Sequence, residues 1–420
     1  MVSVPELRFK EFNEDWEEKK FSYLFEFHQT NSFPRSKLSD DKGKVCNIHY
    51  GDIHKKFPLL LDLDKWDLPF INENVDLSNI DEDSYLKEGD LLIADASEDY
   101  EDIGKAIEVK NIKDKRVLGG LHTFLARDKS NLTKKGYRGY ILLNNNVKLQ
   151  IKKIATGISV LGISKTNLGQ IKIKFPSIEE QEKIANFLSK VDEKIAILED
   201  KLELWNNYKK GIMQQLFSQQ LRFKDENRNS YPDWEEKKLG EVMAIGKAGG
   251  TPTSTEPSFY NGNIPFLSIS DMTSQGKYIS ETEKNITEKG LNSSSAWIIS
   301  KNNLLYSIYA SVGFVAINKV SMSTSQAIFG IILKKEFNLE FIYYLLNDFR
   351  KFLPKYIETG TQGNLNSKIV KNFIFMIPIN EEQEKIANFL TSIDNKIDKI
   401  AIELEKMKEF KKGLLQNMFC

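Results

Sequence analysis

The sequence predicts an α+β fold with an internal duplication: two mixed α/β domains separated by two long antiparallel coiled-coil helices. Residues 179–190 contain EEQEKIANFLSK, and residues 381–392 contain EEQEKIANFLTS, displaced by 202 positions. A repeat this close at so long a period indicates a duplicated domain and not a solenoid of short units. Starting within each copy, apolar residues are spaced alternately by four and three over about five heptads, which is typical of a coiled coil.

Each long helix is predicted to contain about 37 residues and to extend roughly 55 Å. The seam positions of the first helix are Ile184, Leu188, Val191, Ile195, Leu198, Leu202, Trp205, Lys209, Ile212 and Leu216. Those of the second are Ile386, Leu390, Ile393, Ile397, Ile400, Leu404, Met407, Lys411, Leu414 and Met418. A striped helix lying on a globular core is the alternative, but this seam is too long and too narrow for it. Lysine at a seam position costs stability and specifies register, so leucine at both is expected to strengthen the helix pair and loosen its register.

The order of segments predicts how the chain closes. Residues 5–20 have a counterpart at 221–238, directly after the first long helix, so each half contains a leading segment, a domain and a helix. The end of the second helix should therefore lie near residues 1–10, as in a ring cut at that point. This topology favours antiparallel helices with the two domains at opposite ends of a rod; a parallel pair is the less favoured alternative.

Four segments follow from this order. They are residues 1–178 and 221–380, each a domain with its leading segment, and residues 179–220 and 381–420, the two helices. Strands are predicted at 91–94, 106–109, 123–126 and 171–175, and an amphipathic helix at 341–352. The helices are nearly identical between the halves while the domains have diverged, which indicates a shared framework that presents two different surfaces.

Composition is ordinary for a globular protein, with 59 basic and 59 acidic residues and no net charge. No apolar run approaches the ~18 residues of a membrane span, and two cysteines make no disulfide framework, so we expect a cytoplasmic protein without a membrane contact. Residues 62–102 hold fifteen acids and two bases, whereas residues 103–178 hold sixteen bases and three acids. The two segments form separate charged patches or, alternatively, neutralise each other within one fold.

No catalytic or cofactor motif is present. The chain lacks a P-loop and a GxGxxG turn after a strand, and no set of acids and a lysine has the spacing of a nuclease metal site. Cys46, His49 and His54, with His28 upstream, are a weak zinc pattern because one cysteine and irregular spacing do not specify a site. We therefore expect no enzyme activity and no resident metal in this chain.

Polar loops are the more informative feature. In the second domain, amides and hydroxyls beside flexible glycines are candidate DNA contacts, with nearby lysines to neutralise phosphates: Lys319, Thr324, Ser325, Gln326, Thr361, Gln362, Asn364, Ser367 and Lys368. The candidates in the first domain are Lys105, His122, Lys152, Lys153, Ser159, Ser164 and Lys165. Ordinary turn chemistry is the alternative explanation for such loops.

These residues coincide with a known family. Over essentially its whole length the chain resembles the DNA specificity subunit of type I restriction–modification systems. Gly249-Gly250-Thr251-Pro252 with the following 259–266 is similar to the opening of that family's target-recognition domain. Residues 359–365, Pro378 and the repeated EEQEKI are similar to its exit into the conserved helix. The first domain lacks the Gly-Gly-Thr-Pro opening, although residues 47–53 are family-like.

The resemblance implies a non-catalytic subunit that recognises double-stranded DNA. Each target-recognition domain would recognise one half of an asymmetric bipartite site, and the helices would set the spacer and dock two modification subunits. Those methyltransferase subunits would bring S-adenosylmethionine and flip an adenine, and restriction/translocase subunits would use ATP and Mg²⁺. The alternative is a coiled-coil scaffold for proteins that never touches DNA. A stand-alone nuclease–methylase would need motifs that the chain lacks.

Overall fold

The computed structural model describes residues 4–356 and 364–419, which divide into two compact units. Unit 1 comprises Met1–Glu199 with Ile402–Cys420, and unit 2 comprises Asp200–Ala401. Each unit therefore contains one globular part, the start of one long helix and the end of the other. The division into four segments at residues 178, 220 and 380, which the sequence suggests, remains a prediction.

Unit 1 is a mixed α/β structure. Its strands are β1 Glu17–Lys20, β2 Phe25–His28, β3 Leu38–Ser39, β4 Cys46–Ile48, β5 Leu60–Asp62, β6 Phe70–Ile71, β7 Leu91–Ala94, β8 Ala96–Ser97, β9 Ala106–Lys110, β10 Val117–Gly119, β11 Thr123–Asp128, β12 Leu161–Gly162 and β13 Lys172–Phe175. Its helices are α1 Phe21–Leu24, α2 Tyr50–Lys55, α3 Arg138–Ile141, α4 Asn145–Ile154, α5 Lys165–Gln170 and the first part of α6 Ile178–Phe217.

Unit 2 follows the same plan. Its strands are β14 Glu235–Lys238, β15 Met243–Ala248, β16 Tyr260–Leu267, β17 Tyr278–Ile279, β18 Lys284–Ile286, β19 Leu304–Ser307, β20 Val315–Asn318, β21 Ser323–Thr324, β22 Ile328–Leu333 and β23 Ile374–Ile377. Its helices are α7 Leu239–Val242, α8 Ile269–Gln275, α9 Glu288–Asn292, α10 Leu339–Phe349, α11 Ser367–Lys371 and the first part of α12 Asn380–Asn417.

The sheets confirm the duplication. Each unit has a five-stranded sheet, ordered β2-β11-β7-β9-β5 in unit 1 and β15-β22-β19-β20-β17 in unit 2. Each also pairs the strand of its leading segment with the strand before the long helix, β1 with β13 and β14 with β23. The central strands β7 and β19 are buried along their length, as a strand covered on both faces requires.

The strands predicted from the sequence are present as β7, β9, β11 and β13. The predicted helix at 341–352 is α10, which ends earlier, at Phe349, and continues as a 3-10 helix to Lys355 with Pro354 inside it. Because the proline ring excludes an α-helical residue before it, the chain tightens over the last turn. Among the residues that the structure covers, no helix has the length and apolar character that a membrane span requires.

The long helices α6 and α12 contain 40 and 38 residues, and their segments pair antiparallel within each unit. In unit 1, Asp192 bonds Lys411 at 2.5 Å while Lys194, further along α6, bonds the earlier Glu403 at 2.8 Å. In unit 2, Lys209 bonds Asp394 at 2.5 Å, and Lys396 lies 5.0 Å from the ring of Trp205. The order of partners reverses in both units, which confirms the antiparallel prediction.

The predicted closure of the chain is also observed, within unit 1. The backbone N–H of Leu7 donates to the carbonyl of Asn417 at 2.8 Å, and the rings of Trp16 and Phe419 meet edge to face at 6.2 Å. The last turn of α12 thus packs on the first residues of the chain.

The repeated EEQE motif latches each leading segment to its helix. Glu180 is buried and receives a bidentate pair from Arg8, with N···O distances of 2.8 and 2.7 Å. Glu382 receives the same pair from Arg222, at 3.1 and 2.7 Å. Planar guanidinium–carboxylate pairs combine strength with fixed geometry, so this acid does more than complement the helix dipole.

Charges of the acidic and basic segments of unit 1 pair with each other. The ion pairs that join residues 62–102 to residues 103–178 include Asp62–Lys110, Asp64–Lys113, Glu82–Arg116, Asp90–Arg127 and Glu101–Lys152. The alternative of neutralisation within one fold therefore holds for much of the charge.

Candidate functional site

Both units gather polar loops at the same end of the five-stranded sheet. In unit 1 the end of β7 meets the starts of β9 and β11, because Ile93 pairs with Ala106 and Ala94 with Thr123. In unit 2 the end of β19 meets the starts of β20 and β22 in the same way. We name these places the unit 1 loop cluster (residues 49–54, 95–105, 120–122 and 163–165) and the unit 2 loop cluster (residues 249–251, 308–314, 325–327 and 364–366).

His122 stands at the centre of the unit 1 loop cluster. It is half exposed, and its Nδ1 lies 3.1 Å from Asp95 Oδ1. Tyr50, the first residue of α2, meets the His122 ring edge to face at 5.4 Å and the His49 ring at 4.6 Å. Burial raises the pKa of the Asp95 carboxyl, and the neighbouring His122 offsets this only in part. The cluster thus presents imidazole and phenol groups beside a half-buried acid.

The backbone of His122 is unusual. Its φ is +56°, a left-handed conformation that residues with a Cβ adopt rarely and that is common where function requires a particular side-chain direction. Position 120, close to His122 in the same turn, has room only for glycine, because a Cβ there would lie 2.5 Å from Asn47 Nδ2. The turn between β10 and β11 therefore depends on close packing against β4.

Two predicted phosphate contacts of the first domain, Lys105 and Lys152, lie within ion-pair distance of acids. Lys105 donates to the carbonyl of His54 at 2.8 Å and lies 3.6 Å from Asp102. Lys152 bonds Glu101 at 2.5 Å. Both lysines close the 95–105 loop of the cluster, so their charges are largely compensated within the fold.

The other candidates of the first domain are exposed. Lys165 begins α5 and lies 5.5 Å from the ring centre of Phe124. Ser164 caps α5 by accepting the N–H of Asn167 at 3.2 Å, which is ordinary N-cap chemistry. Lys153 and Ser159 are exposed at the end of α4 and in the loop after it, outside the unit 1 loop cluster.

The unit 2 loop cluster joins the two motifs that carry the family resemblance. The N–H groups of Ile308 and Tyr309 donate to Ala327 O at 2.9 and 3.4 Å, and Leu365 N–H donates to Ile308 O at 2.9 Å. Ser325 and Asn364 are partly exposed here, and Gln326 is exposed. These three predicted residues therefore come together.

The Gly-Gly opening of the second domain lies under the same cluster. Gly249 N–H donates to Ile328 O at 2.9 Å, and Gly250 N–H donates to Thr324 O at 3.1 Å. A Cβ on Gly249 would lie 2.1 Å from Thr324 O, so only glycine permits this approach. Thr324 itself is fully buried and its hydroxyl faces Ile328 O at 3.5 Å, which makes it a packing residue in this structure.

The unit 2 loop cluster also carries backbone strain. Ala310 and Ser311 are consecutive residues with φ of +39° and +42°, and such strain persists only where the surroundings impose it. The carbonyl of Ser311 accepts the Ser307 hydroxyl at 2.6 Å. This bond and the cross-loop bonds hold the exposed ring of Tyr309 in place.

Lys319 does not join the cluster. It follows the opposite end of β20 and lies 4.1 Å from the ring of Tyr278. Ser367 and Lys368 are the first residues of α11, which begins beside the cluster, and Lys368 is exposed. Thr361 and Gln362 lie outside the described residues.

Two aromatic residues were missed from the sequence. Tyr50 and Tyr309 occupy the clusters, where only the sheet topology brings them, and Tyr309 belongs to a segment without a recognisable motif. Tyr50 did lie in the family-like stretch 47–53, which was the one available signal. Within the described ranges, 4–356 and 364–419, no three His, Cys, Asp or Glu residues group as metal ligands.

Comparison with known proteins identifies the family to which these two domains belong. The profile described as "Type I restriction modification DNA specificity domain" matches residues 13–204 and 231–408. The chain belongs to this family. The two matches fall one on each copy of the duplication, so the loop clusters are equivalent positions of two specificity domains.

Individual relatives agree. The MjaIX specificity subunit of Methanocaldococcus jannaschii is 30% identical over 209 residues, which is 48% of this chain and 48% of that protein; the match thus spans about half the length of that relative. The putative MjaX specificity subunit of the same organism is 28% identical over 78% of this chain and 76% of its own length. The S subunit of M. genitalium has a similar fold, with a TM-score of 0.61 over 99% of both chains at 18% identity.

Proposed function

We propose that this chain is the DNA specificity subunit of a type I restriction–modification complex. Each loop cluster recognises one half of an asymmetric bipartite site in double-stranded DNA, and the long helices set the spacer and dock two modification subunits. The observation that carries the proposal is that two equivalent sheet ends bear different polar side chains. These are the exposed His122 and the partly exposed Tyr50 in one unit, and the exposed Gln326 and Tyr309 in the other.

The chemistry of the clusters suits base recognition. Amide, imidazole and hydroxyl groups match the donors and acceptors of base edges in the major groove, and glutamine pairs well with adenine. Lys165 and Lys368 border the clusters and have no carboxylate within ion-pair distance among the described residues, so they remain available to neutralise phosphates. Different side chains on one framework account for an asymmetric target.

In this proposal the chain recognises DNA and its partners perform the chemistry. The modification subunits bind S-adenosylmethionine and methylate an adenine flipped out of the duplex, and restriction/translocase subunits use ATP and Mg²⁺. The chain itself needs no cofactor, and the complex acts in the cytoplasm, where the DNA is.

Single substitutions in the two clusters test the assignment. Gln326→Ala is expected to relax one half of the recognition sequence by about 1–3 kcal/mol, roughly 5–150-fold, because one good base contact contributes that much. His122→Ala is expected to relax only the other half. Both are measured by mapping methylated adenines after expressing each variant with its modification subunits.

Lys319→Ala is the matched control, because Lys319 lies at the opposite end of β20 from the unit 2 cluster, and it should leave both half-sites unchanged. If Gln326→Ala and His122→Ala altered the same half-site, or if neither altered any, the assignment of one cluster to each half would be wrong.

A further inference from the structure

A matched set of three side chains joins the two long helices in each unit. In unit 2, Asp394 of α12 bonds Lys209 of α6 at 2.5 Å through Oδ1, and Tyr344 of α10 donates its hydroxyl to Asp394 Oδ2 at 2.5 Å. In unit 1, Asp192 of α6 bonds Lys411 of α12 at 2.5 Å, and Tyr140 of α3 donates to Asp192 Oδ2 at 2.7 Å. Each set links a globular part to both helices.

The sets repeat with the duplication. Asp192 and Asp394 are separated by 202 positions, as are Lys209 and Lys411. The side chains of Asp192 and Lys411 are 28% and 22% exposed, and those of Asp394 and Lys209 are 14% and 26% exposed. These are therefore charges within a packed seam and not surface pairs. The two lysines are thus the seam lysines that the heptad pattern singled out, and each has a defined partner.

Unit 2 adds a fourth group. Lys277, in the turn before β17, lies 3.2 Å from Asp394 and donates to the Tyr344 hydroxyl at 2.7 Å. Burial alone would raise the pKa of Asp394, but the bonds from Lys209 and Tyr344 and the charges of Lys209 and Lys277 hold it below its usual range. The carboxylate is therefore charged at neutral pH.

We propose that these two Tyr–Asp–Lys sets are register locks: positioning residues that fix the axial alignment of the antiparallel helices and so select one spacer length. An apolar heptad seam by itself tolerates slips of whole heptads, and a polar group at a seam position removes that freedom. This inference rests on the proposed role of the helices in setting the spacer.

The sequence shows what a slip would cost. Moving unit 2's helix segments by one heptad in either direction would place Lys209 against Ala387 or Ala401, and Asp394 against Leu202 or Leu216. Lys209 would lose its carboxylate and face an apolar neighbour, and Asp394 would keep only Lys277 and Tyr344, so the slip is unfavourable. A slip of one heptad displaces the helix starts by about 10.5 Å, the rise of roughly three base pairs of B-DNA.

The locks also change the expectation for the lysines. Leucine at 209 and 411 alone leaves Asp192 without its lysine and Asp394 with Lys277 as its remaining cation, so the helix pair should weaken and not strengthen. The informative variant removes all four charges: Lys209→Leu, Lys411→Leu, Asp192→Asn and Asp394→Asn. Asparagine keeps an acceptor for each tyrosine hydroxyl.

The test uses the full chain with its modification subunits and reads the spacer from methylated sites. The uncharged variant is expected to methylate the native half-sites at the native spacing and also at spacings changed by about three base pairs. Restoring one lock with its charges exchanged, Asp192→Lys with Lys411→Asp, should return a single spacer. If the two sets only stabilise the fold, the uncharged variant will melt at a lower temperature but methylate at the native spacing alone, and the lock proposal is then wrong.

Crosslinking of engineered cysteines with a short bismaleimide reports register without DNA. In a Cys420→Ser background, cysteines replace Lys194 and Glu403, whose side-chain ends meet at 2.8 Å, and should crosslink in the native register. Cysteines at Lys194 and Phe410 should crosslink only after a slip of one heptad. The uncharged variant should form both crosslinks. If it forms only the first and keeps one spacer, the lock proposal is wrong. If the wild-type complex methylates no bipartite site, the proposed function itself fails, whatever the crosslinks show.

Discussion

Single residues of this chain show how much depends on burial. Glu108 in β9 is buried, and its carboxylate accepts the N–H groups of Gly136 and Gly139 at 2.5 and 2.9 Å. Burial raises the pKa of Glu108 to about 7, against the bonds from these two glycines and the charge of Arg138. An acid that titrates near neutrality therefore supports the start of α3.

This acid makes the stability of unit 1 depend on pH. Because the folded-state pKa lies above the ordinary value of 4.5, the native state binds the proton more tightly than the unfolded chain, so stability is lost as pH rises from about 4.5 through about 7. The expected loss is about 3 kcal/mol at most. Glu108→Gln should flatten this dependence in denaturant titrations at pH 5 and pH 8.

Glu98→Gln, which alters an exposed carboxyl of the same unit, is the control and should leave the pH dependence of unfolding as in the wild type. Equal slopes for Glu108→Gln and the wild type between these pH values would contradict the assignment.

At the candidate site, the sequence indicated polar residue types, whereas their positions relative to the loop clusters depend on the fold. The sequence singled out Ser325, Gln326 and Asn364, and the structure brings them together, while their role in binding DNA stays a prediction. The same reasoning chose Thr324 and Lys319, one of which is buried and the other at the far end of β20. Sheet pairing decides whether a residue of the two-residue strand β21, such as Thr324, faces the core, and which end of β20 bears Lys319. Short polar motifs do not encode that pairing.

At the scale of elements, the helices were the most predictable part. Their apolar period is local, so it specifies an α-helix and its buried face without reference to the rest of the chain. The partners of the seam lysines were not predictable, because Asp192 and Asp394 lie on the other helix and depend on the register.

Two helix glycines offer an element-scale prediction. Gly211 and Gly413 lie inside α6 and α12, and a Cβ at either would meet nothing within 4 Å. Each Gly→Ala change is expected to raise the free energy of unfolding by about 0.5–1 kcal/mol, because alanine restricts the unfolded chain and favours the helix. Chemical denaturation of the purified chain measures it.

Gly276 is the matched control. It also has open space around it, but its φ is +78° and its ψ is −128°, a conformation in which a Cβ costs roughly 1–3 kcal/mol. Gly276→Ala should therefore destabilise the protein. Stabilisation by all three changes would show that backbone conformation does not decide the sign.

At the scale of the whole molecule, a net charge of zero does not show which charged side chains are paired and which are free to contact DNA. Much of the acidic and basic charge of the first domain is consumed by ion pairs within unit 1, such as Asp64–Lys113 and Glu101–Lys152. The lysines that remain exposed without a carboxylate partner in the described part of the chain include Lys153, Lys165 and Lys368. These exposed lysines, and not the total charge, determine how strongly the chain could attract the phosphates of DNA.

Salt dependence tests this view. If Lys165 and Lys368 each contact a phosphate, replacing both with glutamine should reduce the slope of log binding constant against log salt by about 0.9 per lysine. Lys113→Gln, which removes a lysine already paired with Asp64, should leave the slope unchanged. Fluorescence anisotropy of a labelled duplex with the complex measures it. If the complex showed no salt-dependent binding to the duplex, the protein-scaffold alternative, in which this chain does not touch DNA, would be favoured.

The sequence by itself determined the duplication, the two long helices, their antiparallel pairing and the family resemblance, because these follow from local periodicity and from the order of repeated segments. Only the tertiary structure decided which polar residues share a surface, which lysines are neutralised and which aspartates meet the seam lysines. The physical reason is that ion pairs and burial join residues far apart in the chain, such as Arg222 with Glu382 and Lys209 with Asp394. A periodic pattern specifies the face of an element, and packing specifies what that face meets.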